Sequence, residues 1–419
     1  MRSVPCDSRR LAARMLAGLE SAVLLMAVLS CGPAVRFPKI DRRPPPADYS
    51  AWDADDPLES IPAYDAGVPS AFRVDLRSRE LRHIDASEAA SDLARADFDS
   101  RTRWPDAARL PPLFDPGRIM ETGKDPGLGL RAVHASGITG KGVGVAIIDS
   151  ELLVDHVEYA ERLRLYEELP VSSFEAQMHG SATASIAVGH SVGVAPEADL
   201  YYLAASLGDG ERNDFTHYVE ALDRIVAVNR ALPRGRKIRV VSISVGWEAG
   251  DPGFDEMVAA VARAERAGLF VVSSNSSLGP SLPFSGLDRA PLGNPDDPAV
   301  YGPGAFLAAA FSGPRDPRRD AWFLGRLWVP MDSRSLASPT GRDEYVFYRE
   351  GGLSWAIPWV AGLYALACQV DPDLAPEEFC ELASRTGRMA GIAVGDETRP
   401  LGPIVDPGKL LSELAKAGK

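Results

Sequence analysis

The sequence predicts an α/β fold with a mostly parallel central sheet, helices on both faces and an N-terminal extension. Three observations carry this expectation. Strand-like runs at residues 143–148, 200–204, 239–244 and 269–273 alternate with helix-like runs at 182–188, 214–229 and 255–267. The strand runs are almost continuously apolar, the pattern of strands buried on both faces between amphipathic helices. The chain has 419 residues, 45% hydrophobic and 25% charged, enough for one large core with a smaller accessory region.

The N-terminus has a different character. Arg2, Arg9, Arg10 and Arg14 precede a short apolar stretch that ends at Val28-Leu29-Ser30-Cys31-Gly32. A basic start, a short apolar core and small residues before a cleavage point read as a secretory signal over residues 1–30. Because a cysteine follows Leu29-Ser30 directly, the segment resembles a bacterial lipoprotein signal, which implies lipid on Cys31 and an exported protein anchored to a membrane of the cell envelope. A plain signal peptide or a single anchor helix is the alternative, although the run is shorter than the ~20 residues a spanning helix needs. Further along, no other segment is expected to be long and apolar enough to span.

The formal charge of the chain is −13, and removing the net +2 of residues 1–30 leaves −15. Such a surface excludes nucleic acid as a natural partner. Residues 31–70, with Arg42-Arg43-Pro44-Pro45-Pro46 and many acids, read as an extended tether. Residues 71–126 read as an extension, either a removable propeptide or a permanent part of the domain that follows from 127 to 419. Within it Asp75-Leu76, Glu80-Leu81 and Asp85-Ala86 recur every five residues, too few turns for a free-standing solenoid. Cys368 and Cys380 read as two buried thiols, with a disulfide as the alternative.

Three segments carry chemistry. The strand run Val145-Ala146-Ile147-Ile148 ends in Asp149, which places an acid at the carboxyl edge of a parallel sheet, where α/β sites gather. His179 opens the small-residue helix run Gly180-Ser181-Ala182-Thr183-Ala184-Ser185. Ser354 follows Gly351-Gly352-Leu353 at the start of an apolar run containing Pro358. A serine hydroxyl becomes a nucleophile when an imidazole takes its proton, and the imidazole needs a carboxylate to fix its tautomer and stabilise the imidazolium. On this reading Ser354 attacks, His179 is base then acid, and Asp149 orients. The order Asp, His, Ser separates the set from the His-Asp-Ser and Ser-Asp-His orders of unrelated triads. His156 reads as structural, and no His-x-x-x-His or paired-cysteine spacing supports a zinc site. Gly140-x-Gly142-x-Gly144 precedes its strand and so is not a dinucleotide loop.

These motifs, with Val192-Gly193-Val194-Ala195-Pro196, Ser242-Ile243-Ser244-Val245-Gly246 and Ala267-Gly268-Leu269-Phe270-Val271-Val272 between them, resemble the subtilisin-like serine peptidases over roughly residues 128–385. The resemblance implies a subtilisin-like three-layer fold and cleavage of peptide bonds through an acyl-enzyme, with no cofactor required for chemistry. Calcium often stabilises such proteins, but no loop here has a defensible ligand spacing. It also implies that Ser244, Val245 and Gly246 pair with an extended peptide substrate by strand addition, and that Pro358 matches a proline four residues after the nucleophile.

The chain departs from the family pattern at three places. Glu151 stands where glycine is usual, and Leu353 where threonine is usual. The oxyanion asparagine falls in Ser273-Ser274-Asn275-Ser276-Ser277. Asn275 fills that role if the loop is two residues short, and Ser277 if it is not. The expectation is therefore a lipid-anchored serine endopeptidase, with a catalytically weak or inactive peptide-binding lipoprotein of the same fold as the rival.

Overall fold

The structure, a computed structural model, describes residues 37–50, 56–65, 67, 73–275 and 283–417; the expected signal peptide and Cys31 lie outside them. Before the first motif come β1 (Lys39–Ile40), β2 (Val74–Asp75) and β3 (Ala96–Asp99). The middle of the chain supplies β4 (Gly144–Asp149), β5 (Leu163–Glu168), β6 (Asp199–Ala204), β7 (Ile238–Ile243) and β8 (Phe270–Ser273). After them follow β9 (Phe284–Arg289), β10 (Tyr301–Pro303), β11 (Leu327–Pro330), β12 (Arg334–Ala337), β13 (Tyr345–Tyr348), β14 (Arg388–Val394) and β15 (Glu397–Ile404). The helices around the site are α1 (Met178–Val188), α2 (Thr216–Ala231), α3 (Phe254–Arg266) and α4 (Leu353–Val370).

The central sheet has the order β1-β5-β6-β4-β7-β8, and every pair in it is parallel. Successive residues of a strand point to opposite faces. Val145 and Ile147 pack in one cluster with α1 and α4, while Ala146 and Ile148 on the alternate face are equally buried. Both faces are therefore covered, which is what the unbroken apolar runs require. The chain runs from β4 to β5 and β6 on one side and to β7 and β8 on the other, so the end of β4 is the point where the winding reverses. Ligand crevices of open α/β sheets form at such points, and Asp149 ends β4.

Two further sheets stand among the described residues, β10-β9-β11-β15-β14 and β12-β13-β3-β2. The second of these joins the extension to the main domain. β3 pairs antiparallel with β13 (Phe98↔Phe347, Val346↔Asp99) and lies inside that sheet, between β13 and β2. Val74, Leu76, Leu81, Ile84, Leu93, Phe98, Leu110 and Ile119 form a core into which Phe347 inserts.

The five-residue recurrence has a structural basis. Asp75, Glu80 and Asp85 each accept the backbone N–H two residues on, from Arg77, Arg82 and Ser87. The residue after each acid, Leu76, Leu81 or Ala86, is buried and donates its N–H across to Asp97, Arg103 or Arg109. Three such rungs are stable because the same apolar residues pack under the neighbouring domain.

Two expectations are corrected. Where it is described, the start of the expected tether is extended but docked. β1 adds to the open edge of β5, Lys39 pairs with Glu167, Arg42 binds Glu168 at 2.7 Å, and Pro45 and Ala47 bond to the backbone of Ala176 and Pro339. The cations Lys39 and Arg42 of the segment oppose the acids Glu167 and Glu168 on a sheet edge that would otherwise stay unpaired. The second correction concerns α4, which is long and apolar enough to cross a membrane, although no such segment was expected there. It is buried within protein from Trp355 to Cys368 and is the central core helix. Cys368 and Cys380 are free and buried, and burial pushes their thiols up to about 11 and about 12.

Candidate active site

Asp149, at the carboxyl end of β4, is 4% exposed. Its carboxylate accepts from Ser150 N–H at 2.7 Å and lies 2.7 and 2.9 Å from His179 Nδ1. Thr183 adds a longer bond at 3.3 Å. With Nδ1 donating to the acid, Nε2 is left as the acceptor of a proton. Burial works against charge on His179, but the charge and hydrogen bond of Asp149 outweigh it and raise the imidazole above its ordinary value.

The small-residue pattern after His179 is a matter of clearance. A Cβ at Gly180 would stand 2.4 Å from Tyr202 Oη and 2.5 Å from Ser150 O, so only glycine lets the first turn of α1 approach the edge of β4 and β6.

Ser354 is the second residue of α4, at the helix end where N–H groups are free and the dipole is positive. Its approach needs both glycines. Gly352 has φ +63 and ψ −178, a backbone region open essentially to glycine alone. A Cβ at Gly351 would lie 1.8 Å from Trp355 Cδ1. The Gly351 N–H donates to Asp332 at 2.8 Å, as does Ala305 N–H at 3.0 Å. Burial pushes this carboxyl up to about 7.

The structure also accounts for Pro358, which the local sequence does not. In a helix, residue 358 would donate its N–H to the carbonyl of Ser354, and proline has none. The carbonyl is taken instead by the Ser244 hydroxyl at 3.1 Å, while the Ser354 hydroxyl donates to the Ser244 carbonyl at 3.3 Å. A reciprocal pair thus ties Ser354 to the end of β7. Among the described residues no hydrogen bond joins Ser354 to His179; the Trp355 ring stands 5.4 Å from the imidazole.

The segment Ser244-Val245-Gly246 leaves β7 beside Ser354. Asn275 is bonded to the backbone of Trp247. Its Oδ1 accepts from Trp247 N–H and its Nδ2 donates to Trp247 O, both at 2.8 Å. The amide thus fastens the residue that follows Ser244-Val245-Gly246, and among the described residues its second N–H has no partner. Ser277 lies outside the described residues.

Glu151 is buried and its Oε1 accepts from Ser173 N–H, while its carbonyl accepts from Gln177, so it fastens the loop before His179 to the strand that carries Asp149. His156 is structural, as expected: Nε2 meets Glu344 O at 2.8 Å, Nδ1 accepts from Glu158 N–H, and burial lowers its pKa. Asp332 and Trp355 are the site residues that sequence reasoning missed. No local pattern marks Asp332; Trp355 is marked only by following the serine.

Asp149 and His179 thus meet at the reversal point of the parallel sheet, and Ser354 is bonded to the end of the neighbouring strand β7. Residues 140–303 match the Subtilase family, a span that includes Asp149 and His179 and ends before Ser354. The chain is 26% identical over 279 residues to the Subtilisin-like protease PopC of Myxococcus xanthus (strain DK1622), covering 61% of this chain and 57% of that protein. It is 26% identical over 275 residues to the Serine protease AprX of Bacillus subtilis (strain 168), covering 58% and 61%. The matched part thus spans about three-fifths of the length of these relatives. The solved structure of the Prenylagaramide maturation protease PagA has a TM-score of 0.47 and 17% identity, with 68% of this chain and 98% of that one covered.

Proposed function

We propose that the protein is a subtilisin-like serine endopeptidase, exported and held at a membrane by lipid on Cys31, which acts on protein or peptide substrates. The observation that carries the reading is the 2.7 Å Asp149–His179 bond at the carboxyl edge of the sheet, with Ser354 entering on the neighbouring helix start.

In the proposed cycle an extended peptide pairs with Ser244–Gly246. Ser354 Oγ breaks its bond to the Ser244 carbonyl, passes its proton to His179 Nε2 and attacks the scissile carbonyl carbon. The oxyanion that forms meets the free N–H groups and positive dipole at the start of α4. Asp149 stabilises the imidazolium, which then protonates the leaving amine as the C–N bond breaks. Water, deprotonated by His179, releases the acid product and restores the serine. No cofactor is needed for these steps, and nucleic acid has no part in them.

One observation favours a second reading. The Ser354 hydroxyl is engaged by Ser244 instead of His179, as in a protein that binds peptides without turning them over. Catalytic bonds often tighten only on substrate binding, so we favour the peptidase. A fluorophosphonate probe decides between them. Labelling of the wild type, lost in Ser354→Ala, supports the enzyme; folded protein that never reacts is the binding form.

A further inference from the structure

Trp355 touches two rings, His179 at 5.4 Å with planes inclined 44° and Tyr348 at 5.4 Å. It is 3% exposed, and its Nε1–H is buried and finds no acceptor among the described residues. A buried indole N–H normally has a partner. The ring is therefore held by shape, pressed on Gly351 and the imidazole, at the cost of an unmade bond. It is also placed where the charge of a proton-transfer step develops.

We propose that Trp355 is a positioning residue that stabilises the imidazolium form of His179, its π face opposing the new positive charge while Asp149 holds the Nδ1 side. This rests on the proposed triad. A cation within about 6 Å of an indole centroid is attracted by the ring quadrupole, more strongly where water is excluded. The imidazole keeps 35% of its side-chain surface, so one side is open for substrate while carboxylate and indole occupy others. Asp149 is the charged group in direct contact, and Glu151 follows it on the same strand end. Tyr202 on β6 and Tyr218 on α2 are held protonated by burial. Arg77 stands beyond Tyr348, 5.9 Å from that ring. None of these lies between Trp355 and His179, so removing the indole should act on the imidazole directly.

Trp355→Leu should lower the pKa of His179 by roughly half to one unit and kcat by about 3- to 10-fold, because the charged form loses its attraction. Trp355→Phe, with a weaker π face and similar packing, should fall between. The pKa is read from the pH profile of kcat/KM, and independently from tryptophan emission, since a protonated imidazole in contact quenches an indole. In the Ser354→Ala protein, which needs no turnover, emission should show a step at the His179 pKa that is absent from Ser354→Ala/Trp355→Phe and from Ser354→Ala/His179→Gln. An unshifted pKa in both ring variants, or no step assignable to Trp355, would overturn the inference. Should the wild type fail to react with the probe, the peptidase reading falls while the emission step still decides the Trp355–His179 contact.

Discussion

Replacing Ser244 with alanine tests the link between Pro358 and the nucleophile. The substitution deletes the hydroxyl that bonds the Ser354 carbonyl at 3.1 Å, yet it keeps the Ser244 carbonyl that receives the Ser354 hydroxyl. A hydrogen bond of this kind contributes about 0.5–1.5 kcal/mol, and an orphaned buried acceptor costs ~1–3 kcal/mol. Both partners are only partly buried, so water offsets some of the loss and the expected cost is about 1 kcal/mol. The decisive measurement is a double-mutant cycle by urea unfolding. In Pro358→Ala the helix regains an N–H at residue 358, the Ser354 carbonyl acquires an intrahelical partner, and Ser244→Ala should then cost close to nothing. A coupling of about 1 kcal/mol is the expected result. Strict additivity, with Ser244→Ala costing the same in both backgrounds, would refute the idea that the hydroxyl stands in for the missing helix bond.

Other parts of the molecule can be tested in the same way. Asp149 raises His179 above 6.5, and the neutral imidazole is the base, so activity should rise with pH through a midpoint above that value and Asp149→Asn should move the midpoint down. The same shift gives stability that is full below the unfolded pKa and fades as pH rises through the folded one, which unfolding of wild type and Asp149→Asn across pH 5–9 should show as a shrinking difference. Phe98→Ala, in the core shared by the extension and β13, should cost about 3–5 kcal/mol. Mass spectrometry of probe-labelled protein should find residues 73–126 retained, whereas an active form lacking them would show that the shared sheet is dispensable. Cys31→Ala should shift exported protein from the membrane to the soluble fraction, because acyl chains supply the anchoring energy; unchanged retention would end the lipid assignment.

What was legible in the sequence follows physical range. β4, β6, β7 and β8 begin and end within a residue or so of the apolar runs that announced them, because a strand buried on both faces has to be apolar throughout. The places of Asp149, His179 and Ser354 at the ends of their elements were legible because each stands beside a pattern with a local cause: the end of a buried strand, a glycine that clears Ser150 O, and a glycine at positive φ. The fate of residues 71–126 was not legible. It depends on β3 meeting β13 nearly 250 residues away and on Asp97, buried and bonded to Arg349 N–H. Pro358 has no local explanation for the same reason, since the group that satisfies its neighbour's carbonyl comes from another strand.

Asn275 is where long-range geometry redirects the functional argument. As an oxyanion donor it would bond mainly in the transition state, so its loss would lower kcat by on the order of 100-fold and leave KM alone. The bonds it makes here are to both backbone groups of Trp247, next to the segment proposed to pair with substrate. A side chain that pins a binding edge acts on binding and stability instead. Asn275→Ala should therefore raise KM and cost about 1–2 kcal/mol of stability, two part-exposed hydrogen bonds' worth, with kcat changed less than tenfold. Asn275→Asp separates the functions further, since a carboxylate still accepts from Trp247 N–H but has no N–H to offer an oxyanion or Trp247 O. Steady-state kinetics and urea unfolding on both variants read the two roles apart. A hundredfold loss of kcat at unchanged KM and stability in both would return Asn275 to the oxyanion site, through the one N–H that Trp247 leaves free.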